Sequence, residues 1–321
     1  METLPPFRLA PYFRTRPWGF KDLAPWYDYH TNGEPIGEVW LTGEMCLADT
    51  GPLMGMSLAD ITKQHESALL GPAVHTSSAG TRDFPLLIKI LFPKAKLSVQ
   101  VHPDDALAQL YGQPRGKTEC WYALDARPGA QVALGIRPGV TVGKVEAAVH
   151  DASLESLLKM VPVEKGDMIF VDAGTVHALG PGVVMLETQQ TSDLTYRMYD
   201  YGSSRELHLE KAFAAMKLNT RGGKVPPRAL DGHTLLIDER YFRIEHWPVG
   251  AKTAPAFTSA APLVQMLFVV HGRIRIAGHG FESFTLERNQ LAVIPSSTPC
   301  WDLDGDQATD IIRILPAPAG I

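Results

Sequence analysis

Gln100-Val101-His102, Lys117-Thr118-Glu119 and the run from Gly166 to Gly174-Thr175-Val176-His177 bring an amide, two imidazoles and a carboxylate onto separate β-type stretches. Gln100 and His102 lie two apart on the apolar run Lys96 to His102, so the two-residue period of a strand puts both on one face with Ser98. Lys117 and Glu119 share a face for the same reason. Together Gln100, His102, Glu119 and His177 form a candidate donor set for one divalent ion. Such a set suits a borderline ion such as zinc, held at roughly 2.0–2.2 Å. Closed structural zinc sites favour thiolates, and no Cys belongs to this set, which points to an open, catalytic site. One carboxylate against a divalent ion leaves net positive charge, which favours a water or substrate oxygen in an open position.

The elements that must hold these donors are strands. Apolar runs at Leu86–Leu91, Lys96–Val101, Cys120–Leu124, Gln131–Leu134, Met168–Val171, Val183–Leu186 and Leu194–Tyr199 are separated mainly by Gly, Pro and Asp turns. The pattern predicts a mainly β fold, an antiparallel barrel or sandwich interrupted by a few helices. Ser57 caps a helical pattern that ends at Gly71, Pro103-Asp104-Asp105 opens a short helix ending at Gly112, and Arg205 to Met216 is a third. Val99 and Val101 face away from the donors, so helices are expected to cover that side. Cys120 follows Glu119 and should point to the opposite face as a buried filler.

The composition turns linker-like around Leu218 to Pro227, and a second strand-rich block runs from about Leu235 to Leu315. Two domains are expected, residues 1–225 carrying the metal site and residues 226–321 forming a smaller C-terminal unit. A faint repeat links them. Gly166 precedes Asp172-Ala173-Gly174 and His177, and Asn289 precedes Pro295-Ser296-Ser297 with Cys300 in the place of the imidazole. The second copy lacks a Gln-x-His pair as well, so it reads as a degenerate barrel without metal.

Composition narrows the function classes. With 45% hydrophobic residues and a net charge of −5, the chain supports a sizeable core and shows no basic block, which argues against nucleic acid as a partner. No apolar run reaches membrane-spanning length, and Met1-Glu2-Thr3-Leu4-Pro5-Pro6 is no signal peptide, so a cytoplasmic protein with no membrane partner is the expectation. Three widely separated cysteines, Cys46, Cys120 and Cys300, fit reduced thiols in that compartment.

The stretch from Gly166 to His177 resembles the second cupin motif, with Asp172 where that motif usually has Pro. A larger set resembles the type I phosphomannose isomerases in their shorter bacterial form. It comprises Pro17-Trp18-Gly19, Ile36-Gly37-Glu38, Phe84 to Lys89, Leu97 to Asp105, Gly116 to Tyr122, Thr195 to Tyr201 and Arg205-Glu206-Leu207-His208. This resemblance implies two cupin-like jelly-roll β-barrels, the second degenerate, and one zinc ion per chain. It also implies interconversion of mannose 6-phosphate and fructose 6-phosphate through an enediol(ate), by a monomer or homodimer. It makes Gln100, His102, Glu119 and His177 the zinc ligands, in agreement with the spacing. It further implies that Ser98 and Lys117 hold the substrate phosphate, while Glu187, Asp193 and Arg197 line the reacting end of the sugar.

Among these, Glu187 is the first candidate for the proton shuttle, with Asp193 or a water on the metal as alternatives; Arg197 is assigned electrostatic stabilisation of the enediolate. A cluster of Lys89, Lys96, Lys117 and Arg197 is the expected seat for an anionic sugar phosphate. Two departures, Phe20 where the family often has Gly and Gly43 where it usually has Ser, fall in the N-terminal segment and bear on substrate preference. An iron cupin dioxygenase is disfavoured by Gln100 in place of a third imidazole, and a non-catalytic sugar-binding cupin by the intact donor set and Arg197.

Overall fold

The computed structural model describes residues 2–71, 83–250, 263–305 and 308–317. Its strands form four antiparallel sheets. The first sheet has five strands in the order Tyr196–Tyr199, Val99–Val101, His177–Ala178, Gln131–Ile136 and Leu158–Pro162. The second has seven: Gly223–Val225, Met168–Val171, Glu119–Ala126, Val183–Gln190, Leu86–Leu91, Ile36–Trp40 and Tyr12–Phe20. The third also has seven, running from Phe7–Leu9 through Leu291–Ile294, Gln265–His271, Thr309–Pro316, Phe242–Val249 and His233–Asp238 to Arg228–Leu230. The fourth has three: Phe284–Glu287, Arg273–Gly278 and Trp301–Asp304.

Side-chain alternation stacks these sheets. In the second sheet Ile88, Ile90 and Cys120 point into a core shared with Met266, Phe242 and Ile312 of the third sheet. Leu91, Trp121 and Ala123, of opposite parity, point to Val132, Leu134 and Leu179 on the side of the first sheet. Cys120 is therefore the buried filler that its position beside Glu119 predicts. A further core lies between the third and fourth sheets, with Leu267, Ile274, Leu286 and Trp301. Each fully buried Ile, Leu or Val in these layers is worth roughly 1.5–3 kcal/mol relative to exposure, which sets the register of every strand that has one apolar face.

The outer face of the first sheet is covered as its sequence demands. Val99 and Val101 pack with Val145, Ala148, Ala212 and Ala215 from the helices Val142–His150 and Leu209–Ala215. The helix Leu58–Leu70 starts at a Ser57 cap whose hydroxyl accepts from the Asp60 N–H. In the short helix Asp105–Leu110 the cap is Asp104, which accepts from Leu107 N–H at 3.0 Å, so Pro103 lies one residue outside the helix. The expected helix from Arg205 is helical only over Leu209–Ala215; residues 205–208 bond to Arg197 and Asp200 instead. Helix Val142–His150, capped by Thr141, was not expected from sequence, since its β-branched valines and Gly143 weaken the helical signal.

The faint repeat has a backbone counterpart. Gly166 at φ 92° and Asn289 at φ 65° each sit two residues before a strand, Met168–Val171 and Leu291–Ile294. Asn is the non-glycine residue that tolerates this left-handed turn best. Pairing does not follow the chain blocks strictly, because Phe7–Leu9 pairs with Leu291–Ile294 in the third sheet.

Gly116 sets where the Lys117-Thr118-Glu119 segment starts. A Cβ there would meet Pro103 O at 2.4 Å and the Asp104 carbonyl carbon at 2.5 Å, both backbone atoms. Gly116→Ala should therefore destabilise the protein by about 1–3 kcal/mol in thermal or denaturant unfolding, as overpacking does, and lower any activity that depends on Glu119; an unchanged melting temperature would contradict the packing described.

Candidate metal centre and its cavity

The donors come from two facing sheets. Gln100 and His177 are directly paired across the first sheet, and Arg197 is paired with Gln100 from the other side. His102 lies just past the end of the same strand. Glu119 opens its strand in the second sheet beside Gln189, while Glu187 lies between Lys89 and Trp121 in cross-strand register. Inward parity on both sheets thus converges on one interior point.

The ligand atoms of His102, Glu119 and His177 all lie within 4.8 Å of one another, and the three residues are 1%, 0% and 1% exposed. His177 Nδ1 is 2.9 Å from the Thr175 carbonyl, so Nδ1 carries the proton and Nε2 presents a lone pair. That Nε2 is 3.4 Å from Glu119 Oε1, an oxygen with no hydrogen-bond donor of its own. His102 Nε2 lies 3.6 Å from Glu119 Oε2. Burial, reinforced for His102 by Lys117, holds both imidazoles neutral: His102 falls well below the usual range and His177 is pushed down to about 4. Two neutral imidazoles and a carboxylate aimed at one point form a seat for a cation.

In the structure the Lys117 ammonium supplies that charge, bonded to Glu119 and 3.0 Å from His102 Nε2. Gln100 stands at the edge of the cluster, its amide nitrogen 3.3 Å from His177 Nε2 and its oxygen accepting from Ser98 Oγ at 3.2 Å. A half-turn of the amide presents the oxygen to the cluster while its nitrogen donates to Ser98 Oγ. The His102, Glu119 and His177 donors therefore fit a divalent ion, with Gln100 at the edge of the cluster.

The two acids of the site are pushed in opposite directions. Burial and the neighbouring Glu187 charge raise the Glu119 carboxyl above the usual carboxylate range, against the pull of Lys117. Glu187 is buried too, yet Lys89 and Lys117 hold it below that range. Lys89 Nζ is 2.9 Å from Glu187 Oε2, and Trp121 Nε1 donates to Glu187 Oε1 at 3.0 Å.

A cavity of about 410 Å³ opens onto this cluster. Of the predicted residues, Ser98, Gln100, Lys117, His177, Glu187, Asp193 and Arg197 line it. Arg197 donates to the Glu206 carbonyl at 2.7 Å, and Arg205 beside it forms two bonds to Asp200. Lys96 does not join them: it pairs with Glu155 and is half exposed outside the cavity lining. Arg16, Glu38, Trp121 and Arg205 also line the cavity, and donor spacing alone gives none of them a role. Each lies in or beside a stretch that carries the family resemblance, which was their available signal.

Comparison with known proteins agrees with this geometry. A model of the phosphomannose isomerase type I catalytic domain matches residues 7–135. The mannose-6-phosphate isomerase of Streptococcus mutans is 31% identical over 302 residues, covering 90% of this chain and 92% of that protein. The mannose-6-phosphate isomerase ManA of Bacillus subtilis is 34% identical over 264 residues, covering 76% and 80% respectively. The crystal structure of mannose 6-phosphate isomerase from Bacillus subtilis superposes with a TM-score of 0.83 at 28% identity over 97% of this chain and 99% of that one. A variant of phosphomannose isomerase from Salmonella typhimurium shares the fold, with a TM-score of 0.79 at 17% identity over 98% and 100%. With its donor set, its cavity and its length-spanning likeness to these proteins, the chain belongs to the type I phosphomannose isomerase family.

Proposed function

We propose that this chain is a metal-dependent aldose–ketose isomerase that interconverts mannose 6-phosphate and fructose 6-phosphate. The convergence of His102, Glu119 and His177 beside a polar cavity that His177 also lines carries this reading. When bound there, zinc or a similar ion supplies Lewis-acid stabilisation of negative charge on the sugar oxygens. The remaining work falls to the chain. Leu91, Leu97, Trp121 and Leu179 line the cavity with apolar surface that excludes water from the reacting carbons. Arg197, with Arg205 near it, offers positive charge at the wall where the enediolate or the phosphate is held. Ser98 and Lys117 are the further candidates for the phosphate.

Proton transfer between neighbouring carbons needs a base within reach, a carboxylate or a water on the metal. Glu187, held by Lys89 and Trp121, is the first candidate. The same ion pair weakens it as a base, so Asp193 on the same cavity wall is the competing acceptor. In this reading residues 1–225 house the reaction and residues 226–321 serve packing. Among the described residues no helix is long and apolar enough to cross a membrane, in keeping with the cytoplasmic location we propose.

Purified protein given mannose 6-phosphate should form fructose 6-phosphate, lose that activity to a chelator and regain it with added divalent metal. Product formation unaffected by chelation would refute the metal dependence, and binding without turnover would favour a sugar-binding module. Metal affinity should fall as pH is lowered, because the Glu119 acid is held above the usual carboxylate range and must release its proton to bind. Calorimetry in buffers of different ionisation enthalpy would show that proton release. Glu187→Gln and Asp193→Asn separate the two bases: the variant that loses about 10²–10⁴-fold in kcat with metal content intact identifies the acceptor.

A further inference from the structure

Glu38 is a buried carboxylate on the cavity wall that takes no part in the donor set. It is 7% exposed, and its neighbours hold it on both oxygens. Arg16 Nε donates to Oε1 at 2.8 Å and Arg16 Nη2 to Oε2 at 3.0 Å, while Trp40 Nε1 donates to Oε2 at 2.8 Å. A planar guanidinium fork and an indole N–H together fix the carboxylate in one orientation.

Lys89 lies on the next strand, directly opposite Trp40, with its ammonium 5.9 Å from the Trp40 ring. On its other side it is directly opposite Glu187, at 2.9 Å. Charges therefore alternate along one face of the second sheet, from Arg16 through Glu38 and Lys89 to Glu187, ending at the Trp121 N–H. Lys89 is 4% exposed, and a lysine buried that deeply would shed its proton without compensating charge. Glu187, Glu38 and Asp193 together outweigh the burial and keep it an ammonium.

We propose that Glu38 is a positioning residue for the isomerase reaction: clamped by Arg16 and Trp40, it holds the Lys89 ammonium at the cavity wall beside Glu187 as a fixed donor to the substrate. The inference rests on the isomerase reading and adds to it a residue that works through another. Charge on the sugar oxygens develops toward the enediolate, so a misplaced Lys89 weakens the transition state more than the ground state. Loss of Glu38 should appear in kcat rather than KM.

The test is kinetics of the metal-loaded full chain on mannose 6-phosphate. Glu38→Gln should lower kcat about tenfold, with KM within about twofold, bound metal unchanged and Glu38→Asp restoring most of the loss. Lys89→Gln should cost about 10²-fold, and the double variant Glu38→Gln with Lys89→Gln should be no slower than Lys89→Gln alone, since both act through one ammonium. Losses that multiply, a defect confined to KM, or a Glu38→Gln enzyme as fast as the parent would each overturn the assignment. If Glu38→Gln does not fold, Arg16→Gln, which frees the carboxylate while keeping its charge, should show the same kcat loss; no loss overturns the proposal. A parent protein that does not convert mannose 6-phosphate would sink the isomerase reading itself, a result distinct from any of these.

Discussion

Two buried carboxylates, Glu119 in the donor cluster and Glu187 on the wall of the adjoining cavity, lie close enough to repel, and most of the site follows from that constraint. Burying a single ionised acid without a partner costs several kcal/mol, and burying two side by side adds their repulsion. The fold answers unequally. Glu187 receives Lys89 and an indole N–H and stays ionised, whereas Glu119 shares Lys117 with His102 and is driven toward its neutral form. Burial denies the imidazoles a positive charge of their own. The result is a donor cluster whose positive charge comes from Lys117 in this structure and whose donors also fit a divalent cation.

Such an arrangement needs strands. A helix offers its side chains around a cylinder, but two facing sheets offer rows at fixed spacing on one side and apolar rows on the other. The alternation that places Glu119 and Trp121 inward sends Cys120 into the neighbouring core, so packing energy and site geometry are set by one register. A one-residue slip would bury the wrong row and dismantle the donor cluster at the same time.

How far this was readable from sequence differs by residue. The convergence of His102, Glu119 and His177 was legible because strand periodicity and donor chemistry act over a few residues. The helix over Val99 and Val101 was legible as a need, since an apolar outer face must be covered, though the valines and Gly143 of Val142–His150 mask its helical signal. Lys96 was misplaced because charge type says nothing of which side of a strand end a side chain leaves; it left toward Glu155. Arg16, Glu38 and Arg205 reach the cavity from sequence positions 16 to 205, and only pairing across strands brings them together. Asn289 illustrates the opposite case: the offset it shares with Gly166 was visible in sequence, and its left-handed backbone gives that offset a physical basis.

The pairing of Phe7–Leu9 with Leu291–Ile294 ties the first strand of the chain to one of its last. About 280 residues separate Phe7–Leu9 from that partner, so the first strand's apolar side chains have no sheet to join until the distant segment is in place. Contacts this distant in sequence close slowly and late. Joining strands so far apart in sequence leaves Phe7 and Leu9 among the last residues of the shared core to find their neighbours.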